Sequence, residues 1–188
     1  KIVTACPHCF NTLKNEYPSL GGNYDVIHHS QFLEELIGSG KLKVEGDKAL
    51  NAGGVTFHDS CYLGRANEVY EAPRKVLESL QVEIKEMKRS RSNGLCCGAG
   101  GAQMFKEPEN GAKDINIERT EQALEVKPDI IAAGCPFCNT IAQADVIAPS
   151  GKVWTLTPDP LLLTFAALEM GEQRQDSQRL ARGPPTVA

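Results

Sequence analysis

The chain has 188 residues, 41% of them hydrophobic and 23% charged, with a formal net charge of −4. That is about one domain's worth of chain, long enough to bury a core without disulfides, and its mild acidity with mixed signs argues against a general nucleic-acid binder. The longest apolar stretch, Leu161 to Leu168, is interrupted by Thr164 and falls short of the roughly 18 residues that a membrane-spanning helix needs.

In chain order, an apolar run at Ile2–Ala5 predicts a strand, followed by Cys6-Pro7-His8-Cys9. A second strand is expected at Tyr24–His28 and a helix over Ser30–Ile37, with Ser30 as its N-cap and Phe32, Leu33, Leu36 and Ile37 on one face. Then come a strand at Val55–Phe57 and a helix over Glu68–Leu80, with Val69, Pro73, Val76, Leu77 and Leu80 sharing a face and Pro73 in the first turn. Further strands are expected at Val82–Met87, Asp129–Ala133 and Val153–Leu156. Between them, about Gly111 to Glu125 reads as a helix, polar outside and carrying Ile115, Ile117, Ala123 and Leu124. Leu161–Met170 reads as an apolar helix, and Gly171–Ala188 as a tail with too few apolar groups to repay ordering. Strands alternating with helices predict an α/β fold with a largely parallel sheet.

The sequence also repeats itself. Ile2-Val3-Thr4-Ala5-Cys6-Pro7-His8-Cys9 resembles Ile130-Ile131-Ala132-Ala133-Gly134-Cys135-Pro136-Phe137-Cys138, and Cys6 to Cys135 and Cys9 to Cys138 are both spans of 129 residues. Val26-Ile27-His28-His29 corresponds to Val153-Trp154-Thr155-Leu156 at a span of 127. The expectation is a piece of a longer chain: the end of a first unit over residues 1–50, a complete second unit over 51–170, and a disordered tail over 171–188. The upstream half of the first unit would then be a partner within the same parent protein.

Seven cysteines cannot all pair within the chain, and these cluster in motifs, which favours a reducing compartment and metal or redox chemistry. In the complete unit the order is Cys61, 34 residues, Cys96-Cys97, 37 residues, then Cys135-x2-Cys138. Cys61 and Cys135 each come just after a predicted strand, on turns where backbone N–H groups stabilise thiolates. The glycines of Gly98-Ala99-Gly100-Gly101 permit the backbone angles that aim adjacent cysteines at one site and leave room for an inorganic core. Soft thiolates select zinc, copper(I) or iron–sulfur clusters. Five thiols exceed the four of a structural zinc site, which points to a larger or unusual iron–sulfur cluster.

Three runs, Phe57-His58-Asp59-Ser60-Cys61-Tyr62-Leu63-Gly64-Arg65, Cys96-Cys97-Gly98-Ala99-Gly100-Gly101 and Cys135-Pro136-Phe137-Cys138, together resemble the cysteine-rich CCG domain. That family includes the catalytic B-type subunit of heterodisulfide reductase and the iron–sulfur subunits of glycolate, lactate and glycerol-3-phosphate oxidases; the similarity is nearest to electron-transfer-flavoprotein:menaquinone oxidoreductases. The resemblance implies tandem CCG-type units with mostly parallel sheets and flanking helices, the first unit truncated. It implies that Cys61, Cys96, Cys97, Cys135 and Cys138 hold a [4Fe-4S] cluster, non-cubane in the heterodisulfide reductase branch. Cys6 and Cys9 would be orphan ligands of the first unit's cluster. The implied function is electron relay between a flavoprotein donor and a quinone or disulfide acceptor, in the cytoplasm or at the inner face of the membrane through the parent protein, which would carry ferredoxin-type domains.

Around the cysteines, His58, Gly98 and Gly100 are the residues expected to hydrogen-bond or shape the cluster's surroundings. Two other readings stay open: a structural zinc domain with no redox role, and a thiol–disulfide oxidoreductase built on Cys6 and Cys9. His28-His29 reads as a strand end entering a helix, because its repeat counterparts Thr155 and Leu156 bind no metal. Gly98–Gly101 lacks the spacing of a dinucleotide fingerprint and follows no convincing strand. Lys88, Arg89 and Arg91 read as a solvated basic loop.

Overall fold

The computed structural model describes residues 1–44, 54–107 and 111–139 and the backbone of 153–155. The chain forms two compact units, Lys1–Pro158 and Asp159–Ala188, and all the described residues lie in the first. The helix expected at Leu161–Met170, the tail and the boundary near residue 50 lie outside the described residues.

Among the described residues, five short strands form two parallel sheets. β1 (Ile2–Thr4) pairs with β2 (Val26–His28); β3 (Val55–His58), β4 (Ile130–Ala133) and β5 (Val153–Thr155) form a second sheet in that order. Parallel strands need crossovers, and helices supply them: α1 (Pro7–Asn11) and α2 (His29–Gly38) go with the first sheet, α3 (Glu71–Ser79) and α4 (Ile115–Glu125) with the second. The expected α/β class is therefore present.

The repeat is visible in the strand registers. In the first sheet Ile2, Val3 and Thr4 stand opposite Val26, Ile27 and His28. In the second, Ile131, Ala132 and Ala133 stand opposite Val153, Trp154 and Thr155. The residues paired in one sheet are the sequence counterparts of those paired in the other.

Residues alternate across β3 and β4, so each sheet face has its own core. Val55, Phe57, Ile130 and Ala132 pack with Leu77 of α3 and with Val82. Ile131 packs on the other side with Ala123 of α4 and with Met87. All four residues of β3 and of β4 are buried, as in a sheet covered on both faces. Full burial of a side chain such as Phe57 contributes roughly 1.5–3 kcal/mol.

Four local expectations are corrected. Val82–Met87 is not a strand: its only ladder contact is a parallel bridge between Val55 and Ile84. Val55 N–H donates to Glu83 O and Lys85 N–H to Val55 O, both at 2.8 Å, before the chain turns away. The N-cap of α2 is His28, not Ser30; its side chain accepts from Ser30 N–H at 3.4 Å, and the Gln31 side chain accepts from His28 N–H at 3.2 Å. The helix expected from Glu68 begins at Glu71, with Pro73 in its first turn. α4 begins at Ile115 rather than Gly111 and turns Arg119, Thr120 and Ala123 inward, leaving Ile115 and Ile117 exposed.

Candidate metal centre

Cys61 follows β3 through Asp59 and Ser60, in a tight turn where Leu63 and Gly64 N–H both return to Ser60 O. That turn is pinned by Asp59, whose buried carboxylate takes Arg74 Nη1 at 2.8 Å and Nη2 at 3.0 Å. Asp59 Oδ2 also accepts Arg91 N–H at 2.6 Å, and so ties the segment leading to Cys96 onto the Cys61 turn. Arg74 uses its remaining N–H groups on Tyr70 O and the Glu86 carboxylate, so all five of its donors are engaged. Burial alone would lower the guanidinium's pKa; the two carboxylates raise it. The basic loop before the cysteine pair is ion-paired: Arg89 meets Glu118, and Arg91 meets Glu71 and Glu86.

Gly98 follows the pair at φ +84°, left-handed backbone that a side chain would strain. Its N–H donates to Cys96 Sγ at 3.4 Å. Gly100 lies at no positive φ and makes no comparable contact; its carbonyl accepts Gln103 N–H. Cys135 stands at the end of β4, where the next residues turn helical. The backbone N–H groups of Phe137 and Cys138 act to lower its thiol's pKa, and those of His8 and Cys9 act in the same sense on Cys6, at the same place after β1.

The three distant segments meet. Cys97, Cys135 and Cys138 pack in one buried cluster with Ala99 and Ala133, and the thiols shift one another's ionisation pairwise: Cys61 with Cys96, Cys96 with Cys97, Cys97 with Cys138, Cys138 with Cys135, and Cys135 with Cys6. Charge is not shared evenly among them. Cys96 lies far below the usual thiol range because Cys61, then Cys97, donate to it, helped by Gly98 N–H. Cys135 is lowered likewise by Cys138 and then Cys6. The donors are correspondingly raised: Cys61 by its bond to Cys96, Cys6 by its bond to Cys135, and Cys138 by its bonds to Cys135 and Cys97. Cys138 is further within 3.8 Å of Ser60 Oγ.

Cys6 is therefore coupled to Cys135, whereas Cys9 is exposed. Nδ1 of His8 sits 3.7 Å from Cys6 Sγ and 3.9 Å from Cys135 Sγ, with its ring against Tyr62 and Phe137.

His58, Cys97 and Cys138 bring donor atoms within 4.8 Å of one another. They also line one cavity with Met87, Asn116 and Arg119. His58 is not a free imidazole ligand. Arg119 Nε donates to its Nδ1 at 2.9 Å. Arginine can only donate, so the proton of the neutral ring is on Nε2 and both ring nitrogens are committed. Burial first, then the Arg119 charge, hold the ring neutral, with a pKa of about 4. His58 thus presents an N–H to its surroundings rather than a lone pair. A set of five or six soft sulfurs, with the Gly98 N–H donating to one of them, fits a sulfur-ligated metal centre, and an iron–sulfur cluster better than a four-ligand zinc site. Arg119 and Arg74 are the functional residues the sequence did not disclose. Their one signal is position, on the same helix faces as Ala123 and Leu77.

Residues 55–141 match the CCG cysteine-rich domain family. The chain is 45% identical to the "Probable iron-sulfur-binding oxidoreductase FadF" of Bacillus subtilis, over 93% of this chain and 25% of that protein. It is 40% identical to the EtfAB:quinone oxidoreductase of Syntrophomonas wolfei, over 90% and 24% respectively. It is 41% identical to one polypeptide of the dihydromethanophenazine:CoB–CoM heterodisulfide reductase of Methanosarcina barkeri, over 73% and 34%. The chain thus spans a quarter to a third of the length of these relatives.

Proposed function

Because this chain carries a CCG cysteine-rich domain, we propose that it is the cluster-carrying part of an iron–sulfur oxidoreductase, in which Cys61, Cys96, Cys97, Cys135 and Cys138 hold a [4Fe-4S] cluster. When bound, such a cluster takes up and releases one electron at a time. The electrons would come from a flavoprotein and leave to a quinone or a disulfide, in a parent protein that works at a membrane face. Among the described residues no helix is long and apolar enough to cross a membrane.

The observation that supports this reading is the buried packing of Cys97, Cys135 and Cys138 against one another, with Cys96 and then Cys61 electrostatically coupled to Cys97. The protein's part is positional. The Asp59–Arg74 pair fixes the turn of Cys61, and the Arg91 N–H bond to Asp59 brings the Cys96–Cys97 segment to it. Gly98 supplies the turn and an N–H to sulfur. Cys97, Cys135 and Cys138 are buried, which keeps water from the ligands.

The test is direct. Protein prepared without oxygen should be brown and contain iron and acid-labile sulfide in near-equal amounts. Cys97→Ser and Cys135→Ser should lose most of both. Stoichiometric zinc without iron in the unaltered chain, or an unchanged iron content in both variants, overturns the reading.

A further inference from the structure

Two arginines are buried among the described residues, and their surroundings treat them very differently. Arg74 is fully neutralised by Asp59 and Glu86. Arg119, on α4, is only 5% exposed, yet among the described residues its partners include no carboxylate. Its Nε donates to His58, and its Nη1 to Arg89 O at 2.7 Å and to Gln122 Oε1 at 3.3 Å. Its Nη2 is buried with no hydrogen-bond partner. Asp59 acts on Arg119 through space, but both its oxygens are already held by Arg74 and Arg91 N–H. Burying an uncompensated cation costs several kcal/mol, so such a charge persists only where something negative answers it.

What lies across from it is the cysteine cluster. Arg119 lines the same cavity as Cys97, Cys138 and His58; burial works against its charge, and negative charge on Cys138 or Cys97 would favour it. Two unexplained features coincide there: a guanidinium without a counter-ion, and an N–H with nothing to bond. Guanidinium does not give up its proton, so this charge is constant whatever the centre does.

We propose that Arg119 is the fixed cation that sets the reduction potential of the sulfur-ligated centre, acting by its charge and through the hydrogen bond that orients His58. An electron added to a buried cluster is an added negative charge, and a permanent positive charge beside it stabilises the reduced form over the oxidised one. Arg119 is in this sense a positioning residue, since it also fixes which nitrogen of His58 carries the proton. The inference rests on the iron–sulfur reading above.

The experiment uses the full chain, prepared without oxygen, with iron and sulfide measured before a redox titration followed by visible absorption and electron paramagnetic resonance. Arg119→Gln with full iron should show a reduced-to-oxidised ratio at least tenfold lower at the wild-type midpoint, a shift of 59 mV or more for a one-electron couple. Arg119→Lys should recover part of that shift, since it keeps the charge but not the fork. Gln122→Glu places a carboxylate against the guanidinium while leaving Arg119 in place, and should move the midpoint in the same direction as Arg119→Gln. It decides the matter if Arg119→Gln fails to hold iron. A wild-type midpoint in iron-loaded Gln122→Glu, or in iron-loaded Arg119→Gln, overturns the inference while leaving the cluster reading intact. Absence of iron from the wild-type chain overturns both.

Discussion

Replacing Arg74 with methionine removes the buried cation of the Asp59–Glu86 network while keeping most of the apolar stem. The Arg74 and Asp59 side chains are each 3% exposed, whereas Glu86 at 35% can turn to water. The cost therefore falls on Asp59. Its carboxylate would keep only the Arg91 N–H at 2.6 Å and lose the two guanidinium bonds at 2.8 and 3.0 Å. Breaking a buried pair by removing one partner costs about 3–5 kcal/mol, a large share of the roughly 5–15 kcal/mol that holds a domain together. The double variant Arg74→Met with Asp59→Asn no longer buries a bare charge, and an amide can still accept the Arg91 N–H. It should be more stable than Arg74→Met alone by about 2 kcal/mol. Urea unfolding of the reduced chain under argon, followed by far-ultraviolet circular dichroism, measures both. A loss under 1 kcal/mol in Arg74→Met, or a double variant no more stable than the single one, would refute the claim that this pair bears on the Cys61 turn.

Gly98→Ala should lose about 1–2 kcal/mol, since φ +84° is left-handed and the new Cβ would lie 3.3 Å from Asn116 N. Gly100→Ala should be nearly neutral, because a Cβ there meets nothing within 4 Å; equal effects in urea midpoints would contradict this. His29 gives a pH dependence. Burial lowers its folded pKa to about 4, against about 6.5 in the unfolded chain. Between these values the unfolded state binds more protons, so stability is fully present above pH 6.5 and falls as pH drops toward 4. Between pH 7 and 4.5 the wild type should lose about 2 kcal/mol more than His29→Gln. Parallel pH profiles for the two proteins would be the wrong outcome for a buried neutral imidazole.

Much of this was readable in the amino acids because the signals are local. Strands such as Val55–His58 and Ile130–Ala133 are short apolar runs with turn residues beyond them, and period two survives any tertiary context. Cys61, Cys96–Cys97 and Cys135–Cys138 identify themselves by residue type, and the structure packs Cys97, Cys135 and Cys138 together. Other features were hidden because they depend on distant partners. Val82–Met87 has strand composition but spends its end on Arg74, through Glu86, rather than on a ladder. Ile115 and Ile117 carry the apolar signal of α4, yet the helix turns Arg119 and Thr120 inward because His58 and Arg89 O, far away in sequence, give the arginine something to bond. His28 outranked Ser30 as a cap because a buried ring nitrogen at the strand end reaches Ser30 N–H first. No periodicity argument ranks arginine or histidine as interior residues.

The matching registers of the two sheets give β1 an unequal pair of sides. One side meets β2 as β4 meets β5. The other corresponds to the flank of β4 along which β3 lies in parallel, Thr56 opposite Ile131 and His58 opposite Ala133. Among the described residues no strand occupies that flank of β1, and Val3 at its centre is 44% exposed. An open row of backbone donors and acceptors is a template. On β1 that row runs on the same side as the one β3 fills on β4, so a further strand added there would lie parallel to β1.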